Sequence, residues 1–189
     1  MRKIVAFEHM TLDGYVSSGK GMGFEWTNRA YDAELSAYAQ HIQEDFDLPV
    51  YGRETYLGMY GYWSTQPTAE STPVEREHAE WVNAVEKIVV STTLESADWN
   101  NTRLVRGNLA EEFGALKEQA GGTIAIYASP KLVHSFLELG LIDEFRVVVH
   151  PVVIGGGTPL FPAGTELDLR LEESRSFAAG ATYLRYGVA

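Results

Sequence analysis

Runs of β-branched and aromatic residues alternate with stretches of helical period from the first residues onward. Lys3 to Glu8 predicts a first strand, followed by a Gly-rich stretch from Asp13-Gly14 through Gly19, Gly21 and Gly23. A helix is predicted over Ala30 to Phe46, a short strand over Leu48 to Tyr51, and a helix over Arg53 to Tyr60 that opens directly after Gly52. The polar stretch Ser64 to Pro73 reads as a surface loop. Beyond it come a helical stretch over Glu75 to Ala84 and a strand over Lys87 to Ser91, then a short strand over Thr102 to Val105 and a helix over Leu109 to Ala120 that stops at Gly121-Gly122.

Thr123 to Tyr127 predicts a strand, and Ser129-Pro130 carries a hydroxyl cap and a first-turn proline together. The helix starting there sets Leu132, Val133, Phe136 and Leu137 on one face and ends near Gly140. Phe145 to Val149 is a further strand, and from Leu167 the tail alternates in strands around a hairpin-like turn at Ala179-Gly180. Strands alternating with helices imply a mostly parallel central sheet flanked by helices, and the tail adds an antiparallel C-terminal part. No repeat or linker divides the 189 residues, so a single α/β domain is expected.

The net charge of −11, with no Lys/Arg cluster to offset it, opposes nucleic-acid binding. Apolar runs are too short to span a bilayer, and the apolar start ends at Glu8-His9, too soon for a secretion signal, so no membrane role and a cytoplasmic location are expected. The absence of cysteine removes disulfides, thiol nucleophiles and thiolate metal sites. His9, His41, His78, His134 and His150 show no i,i+4 pair, so no metal site is expected. Nothing reads Gly-x-Ser-x-Gly, the hydrolase nucleophile turn. Gly155-Gly156-Gly157 is followed by Thr158-Pro159-Leu160-Phe161-Pro162, where two prolines cannot open a regular helix, so it is read as a turn.

An anion can still be held locally, where helix N-termini meet the carboxyl ends of parallel strands. Tyr51-Gly52-Arg53-Glu54-Thr55-Tyr56 combines close backbone approach, a guanidinium and a hydroxyl. Tyr127-Ala128-Ser129-Pro130-Lys131 is a second such junction, and Val90-Ser91-Thr92-Thr93 a strand end rich in hydroxyls. Together they suit a pyrophosphate and a further phosphate. Each also has a plainer reading, as a tight turn, a helix cap and a loop.

Met10-Thr11-Leu12-Asp13-Gly14-Tyr15, Gly52-Arg53-Glu54-Thr55-Tyr56 and Ile88-Val89-Val90-Ser91 lie in an order that extends through Leu137-Glu138-Leu139-Gly140-Leu141-Ile142-Asp143-Glu144-Phe145. His150-Pro151-Val152-Val153-Ile154-Gly155-Gly156-Gly157-Thr158-Pro159-Leu160-Phe161 completes the series. In this the chain resembles the stand-alone dihydrofolate-reductase-like proteins related to the C-terminal reductase domain of bifunctional riboflavin-biosynthesis enzymes. The resemblance covers the whole chain and implies a dihydrofolate-reductase-like fold, NADPH as cofactor, a small pterin- or pyrimidine-like substrate reduced by hydride transfer, and a homodimer. It implies that Thr11 to Ser17 closes over the nicotinamide. Gly52, Arg53, Thr55, Ser91 and Thr92 would hold the adenosine phosphate, and Tyr127, Ala128, Ser129 and Lys131 the pyrophosphate. Where many relatives have glycines, Ala128-Ser129-Pro130 adds a methyl group and removes one N–H donor. Tyr15-Val16 stands where the riboflavin reductases carry a basic residue and hydroxyls. A dimeric binding protein of the same fold, without efficient reductase activity, is therefore carried as the alternative.

Hydride transfer to a C=N bond also needs a proton, from an acid of raised pKa or from water. Asp13 is the candidate acid, although Asp-Gly turns also use such a residue merely to cap a loop. Tyr15, Trp26 and Tyr56 are the candidate aromatic wall for a flat substrate, set against the plainer role of core packing.

Overall fold

The structure, a computed structural model, describes residues 1–19 and 23–189. Gly21 of the glycine-rich stretch lies outside them. The elements in chain order are β1 (Ile4–Thr11), β2 (Tyr15–Ser17), a 3-10 turn (Glu25–Arg29), α1 (Ala33–Gln43), β3 (Phe46–Gly52), α2 (Arg53–Trp63), α3 (Pro73–Ala84) and β4 (Lys87–Val90). Then follow β5 (Thr102–Val105), α4 (Leu109–Glu118), β6 (Thr123–Tyr127), α5 (Pro130–Glu138), β7 (Glu144–His150), β8 (Thr158–Pro159), β9 (Leu169–Ser176) and β10 (Thr182–Val188).

Eight strands form one sheet in the order β5-β4-β3-β6-β1-β7-β10-β9. The strands from β5 to β7 pair in parallel, whereas β10 runs antiparallel to β7 and β9 to β10. The central position of β1 explains its sequence: Ile4 and Ala6 pack on the face covered by α4 and α5, Val5 and Phe7 on the face covered by α1. A strand buried on both faces reads as a continuous apolar run. Tyr51 and Val89 pack under α2 and α3 with Tyr56, Val82 and Trp99.

Three features differ from the periodicity. The helix expected over Ala30 to Phe46 is shorter, because Asp32 caps α1 by accepting the Leu35 N–H at 2.9 Å and the chain before it folds as the 3-10 turn. Strand β3 starts at Phe46 and tolerates Pro49, next to a register irregularity between Phe46 and Leu48. Thr158-Pro159, just after the glycine turn and not expected as a strand, pairs with Tyr15 and Ser17 in a separate two-stranded sheet. The approach there is so close that a Cβ on Gly157 would lie 1.9 Å from the Ser17 carbonyl oxygen.

Candidate functional site

The carboxyl ends of the parallel strands gather at one edge of the sheet, where α2 and α5 begin beside each other. The Gly52 N–H donates to Ser129 Oγ at 3.0 Å, and the Thr55 hydroxyl donates to the Ala128 carbonyl at 2.6 Å. Lys131 Nζ reaches Glu54 at 3.4 Å across the same seam. Helix α2 has no side-chain cap, so the positive end of its dipole stays open. Exposed Arg53 donates to Thr93 Oγ1 at 3.2 Å. Buried Ser91 caps its own turn by accepting the N–H groups of Thr93 and Leu94, and Thr92 is exposed between them. The fold thus brings Gly52, Arg53, Thr55, Ser91, Thr92, Ala128, Ser129 and Lys131 onto one rim.

The two helix starts are not equivalent. At α5, Ala128 adopts a left-handed φ of 44° and its N–H donates to the Phe7 carbonyl at 3.1 Å. The Ser129 N–H donates to Glu8 Oε1 at 2.9 Å, and Pro130 has no N–H. All three residues of this turn therefore have no N–H left for a ligand. Glu8 lies on β1 with no exposed surface, and its Oε2 has no hydrogen-bond partner. Burial pushes its carboxyl well above the usual range, against the opposing pull of the Ser129 hydrogen bond. The Tyr127 ring packs edge-on against Phe7 at 5.2 Å, so its side chain is a wall beneath this junction.

Asp13 departs from the expectation of a proton-donating acid. It is exposed, accepts from the Thr11 hydroxyl at 2.6 Å, and receives the N–H groups of Ile154 at 3.2 Å and Gly155 at 2.8 Å. The Thr11 bond first, then the backbone donors, hold its pKa below the ordinary value, the opposite of what a general acid at neutral pH needs. Its carboxylate latches the β1–β2 connection to the glycine turn after β7. With Tyr15–Ser17 tied into a strand, the segment Thr11 to Ser17 is a tethered element and not a free lid.

The aromatic wall does not assemble from the three residues expected. Tyr56 is a core residue stacked on Tyr60 at 6.0 Å, its hydroxyl accepting the Trp99 N–H at 2.9 Å. Tyr15 is half-buried on β2. Trp26 is buried, donates through Nε1 to the Gly23 carbonyl at 3.0 Å, and meets His150 edge-on at 5.4 Å. His150 in turn bonds His9, Nε2 to Nδ1, at 2.8 Å.

Glu8, His9 and His150 were not singled out as site residues. The available signal was a charged residue and an imidazole breaking the apolar run of a strand with parallel neighbours on both sides, where both must be enclosed. A groove of about 720 Å³ lies at the opposite edge of the sheet, lined by Arg2, Lys87, Trp99 and Arg103 among others. There Lys87 Nζ donates to the Val82 and Val85 carbonyls at 2.8 Å, closing the C-terminus of α3.

A profile of the RibD C-terminal domain matches residues 2–183. The chain belongs to the RibD C-terminal domain family. It is 31% identical over 186 residues, 98% of this chain and 94% of the relative, to the uncharacterized protein YyaP of Bacillus subtilis (strain 168). A second uncharacterized protein of that organism, YwjB, is 26% identical, covering 98% of this chain and 97% of its own. Among solved structures, a putative riboflavin biosynthesis protein from Shewanella sp. PV-4 superposes with a TM-score of 0.77 at 20% identity, covering 99% of both chains. A dihydrofolate reductase from Enterococcus faecalis, complexed with NADP(H) and RAB-propyl, does so with a TM-score of 0.61 at 11% identity, covering 98% of this chain and 96% of its own. The fold of this RibD C-terminal domain protein is therefore dihydrofolate-reductase-like, and the family assignment agrees with the sequence resemblance. Among the described residues, no helix is long and apolar enough to cross a membrane, and no three His, Cys, Asp or Glu side chains group to hold a metal ion.

Proposed function

We propose that the chain is an NADPH-dependent oxidoreductase of the cytoplasm, acting as a homodimer on a small pterin-, pyrimidine- or related heterocyclic substrate. The observation that carries this reading is the seam between α2 and α5, where Gly52–Ser129 and Thr55–Ala128 hydrogen bonds join two helix starts beside Arg53. Gly52, Arg53 and Thr55 at the uncapped start of α2, with Ser91 and Thr92 just after β4, are the residues for the adenosine phosphate that distinguishes NADPH from NADH. Tyr127, Ala128, Ser129 and Lys131 are the residues on the α5 side of the seam for the pyrophosphate. Such a cofactor, when bound, supplies a hydride. The protein's own task is to orient ligand and substrate and to keep water out of this edge.

A second reading, a binding protein of the same fold without efficient reductase activity, is favoured by the α5 turn, whose N–H groups are already engaged. Titration of NADPH fluorescence separates the two. The reductase reading expects saturation in the micromolar range, and no binding up to millimolar NADPH overturns it. Under that reading, Arg53→Ala lowers the preference for NADPH over NADH by roughly tenfold, the scale of one charge-assisted contact at about 1.4 kcal/mol. Unchanged discrimination would remove Arg53 from the phosphate site.

A further inference from the structure

Strands β1 and β7 pair so that Thr11 faces His150 and His9 faces Val148, and the two imidazoles meet across the ladder. His150 has no exposed surface; Nε2 bonds His9 and Nδ1 has no partner. His9 is half-buried, with its ring 5.6 Å from both Phe7 and Tyr31, and Nδ1 is the atom engaged by His150. Its Nε2 is not used by that bond.

A bond between two imidazoles needs one N–H and one lone pair, which leaves two neutral arrangements. If His9 donates, His150 must carry its proton on Nδ1, an enclosed N–H with no acceptor. If His150 donates from Nε2, its enclosed Nδ1 is a bare lone pair and His9 carries its proton on Nε2. Either way the enclosed Nδ1 of His150 is unpartnered; the second arrangement, which leaves a lone pair there and turns the His9 Nε2–H outward, is the one taken up here. The doubly protonated forms are disfavoured, because enclosure lowers His9 to about 3 and His150 to about 4.

We propose that His9 is a specificity-determining residue that presents a fixed Nε2–H donor to the bound heterocycle, with His150 as the positioning residue that sets its tautomer. The ligand atom it selects is an acceptor, a ring carbonyl oxygen or an unprotonated ring nitrogen, lying against the partly exposed ring of Tyr31. An amino group at that place presents a second donor and is rejected. The inference rests on the reading that a heterocycle binds at this edge.

The test uses the full chain labelled with 15N-histidine, and long-range 1H–15N correlations at pH 7 that report which ring nitrogen carries the proton. His9 is expected protonated on Nε2 in the wild type, with both tautomers appearing in His150→Phe. The ligand probes are 2-amino-4-oxopteridine and 2,4-diaminopteridine, titrated by their fluorescence. The oxo compound should bind about tenfold more tightly and shift the His9 Nε2 resonance. His9→Phe should abolish that preference, and His9→Gln, which restores an N–H, should recover part of it. A proton on His9 Nδ1, no binding of the oxopteridine, or an unchanged preference in His9→Phe each overturns the proposal. NADPH titrated in the same samples keeps the two readings apart: cofactor binding without pteridine binding defeats this inference alone, and pteridine binding without cofactor binding defeats the reductase reading alone.

Discussion

Replacing Glu8 with glutamine probes the enclosed carboxyl at the heart of the α5 junction. Glu8 is fully buried on β1, with Oε1 on the Ser129 N–H and Oε2 unpartnered. Its pKa in the fold is raised well above the ordinary value, mainly by burial. Unfolded, the same group titrates near about 4.3. Between those two values the unfolded chain has lost a proton that the fold still holds. Stability attributable to Glu8 therefore falls as pH rises, by about 1.4 kcal/mol per pH unit. The glutamine variant has no such slope and keeps an acceptor for Ser129. Near pH 4 the two proteins should agree within about 1 kcal/mol. Above that, the variant's advantage should grow by about 1.4 kcal/mol per unit until the folded-state pKa is passed, and then stay constant. Urea unfolding of both proteins in steps from pH 4 to pH 8 measures this difference, in which the other titrating groups cancel. A difference independent of pH would refute the assignment of a raised pKa to Glu8.

Phe136 has no exposed surface and meets Phe113 edge-on at 4.6 Å, so Phe136→Ala should cost about 3–5 kcal/mol, read as a lower urea midpoint. His150 behaves oppositely to Glu8: its folded pKa of about 4 lies below the unfolded value of about 6.5, so its contribution is intact above pH 6.5 and is lost as pH falls toward 4. His150→Phe should flatten the acid side of the stability profile by about 3 kcal/mol, measured by the same urea series. Asp13→Ala should speed amide exchange at Ile154 and Gly155 by about tenfold or more while leaving the global urea midpoint little changed, since only a local latch is released.

Where an element is bounded by local chemistry, the chain announces it. Thr102–Val105 and Thr123–Tyr127 form as the alternation predicts, and Pro130 opens α5, but the Ser129 hydroxyl makes no cap bond there because it accepts the Gly52 N–H and donates to the Tyr127 carbonyl. Apolar residues at helical spacing before Asp32 mislead, because only the cap decides where α1 can begin. The β2–β8 ladder is invisible locally, since it exists only where two distant segments approach closely enough to require Gly157. The same division holds at the site. Gly52, Arg53 and Ser129 stand out in the sequence because a helix N-terminus gives them meaning on its own, and the fold sets them on one rim. The contacts of Asp13 with Gly155 and of Tyr56 with Trp99 are not legible there, since those residues lie 142 and 43 positions away. Spacing in sequence says nothing about such meetings.

The contrast between the two helix starts bears directly on which functional reading is right. Helix α2 opens with an uncapped dipole and a guanidinium, whereas the turn before α5 has its N–H groups engaged by Phe7 and Glu8. A protonated Glu8 leaves the seam without an opposing charge, and an ionised one sets a negative charge beneath the place where a pyrophosphate would lie. In a reductase, NADPH affinity of the glutamine variant relative to wild type should therefore climb as pH rises through the folded-state pKa of Glu8. In a binding protein that makes no use of the seam, the ratio stays flat.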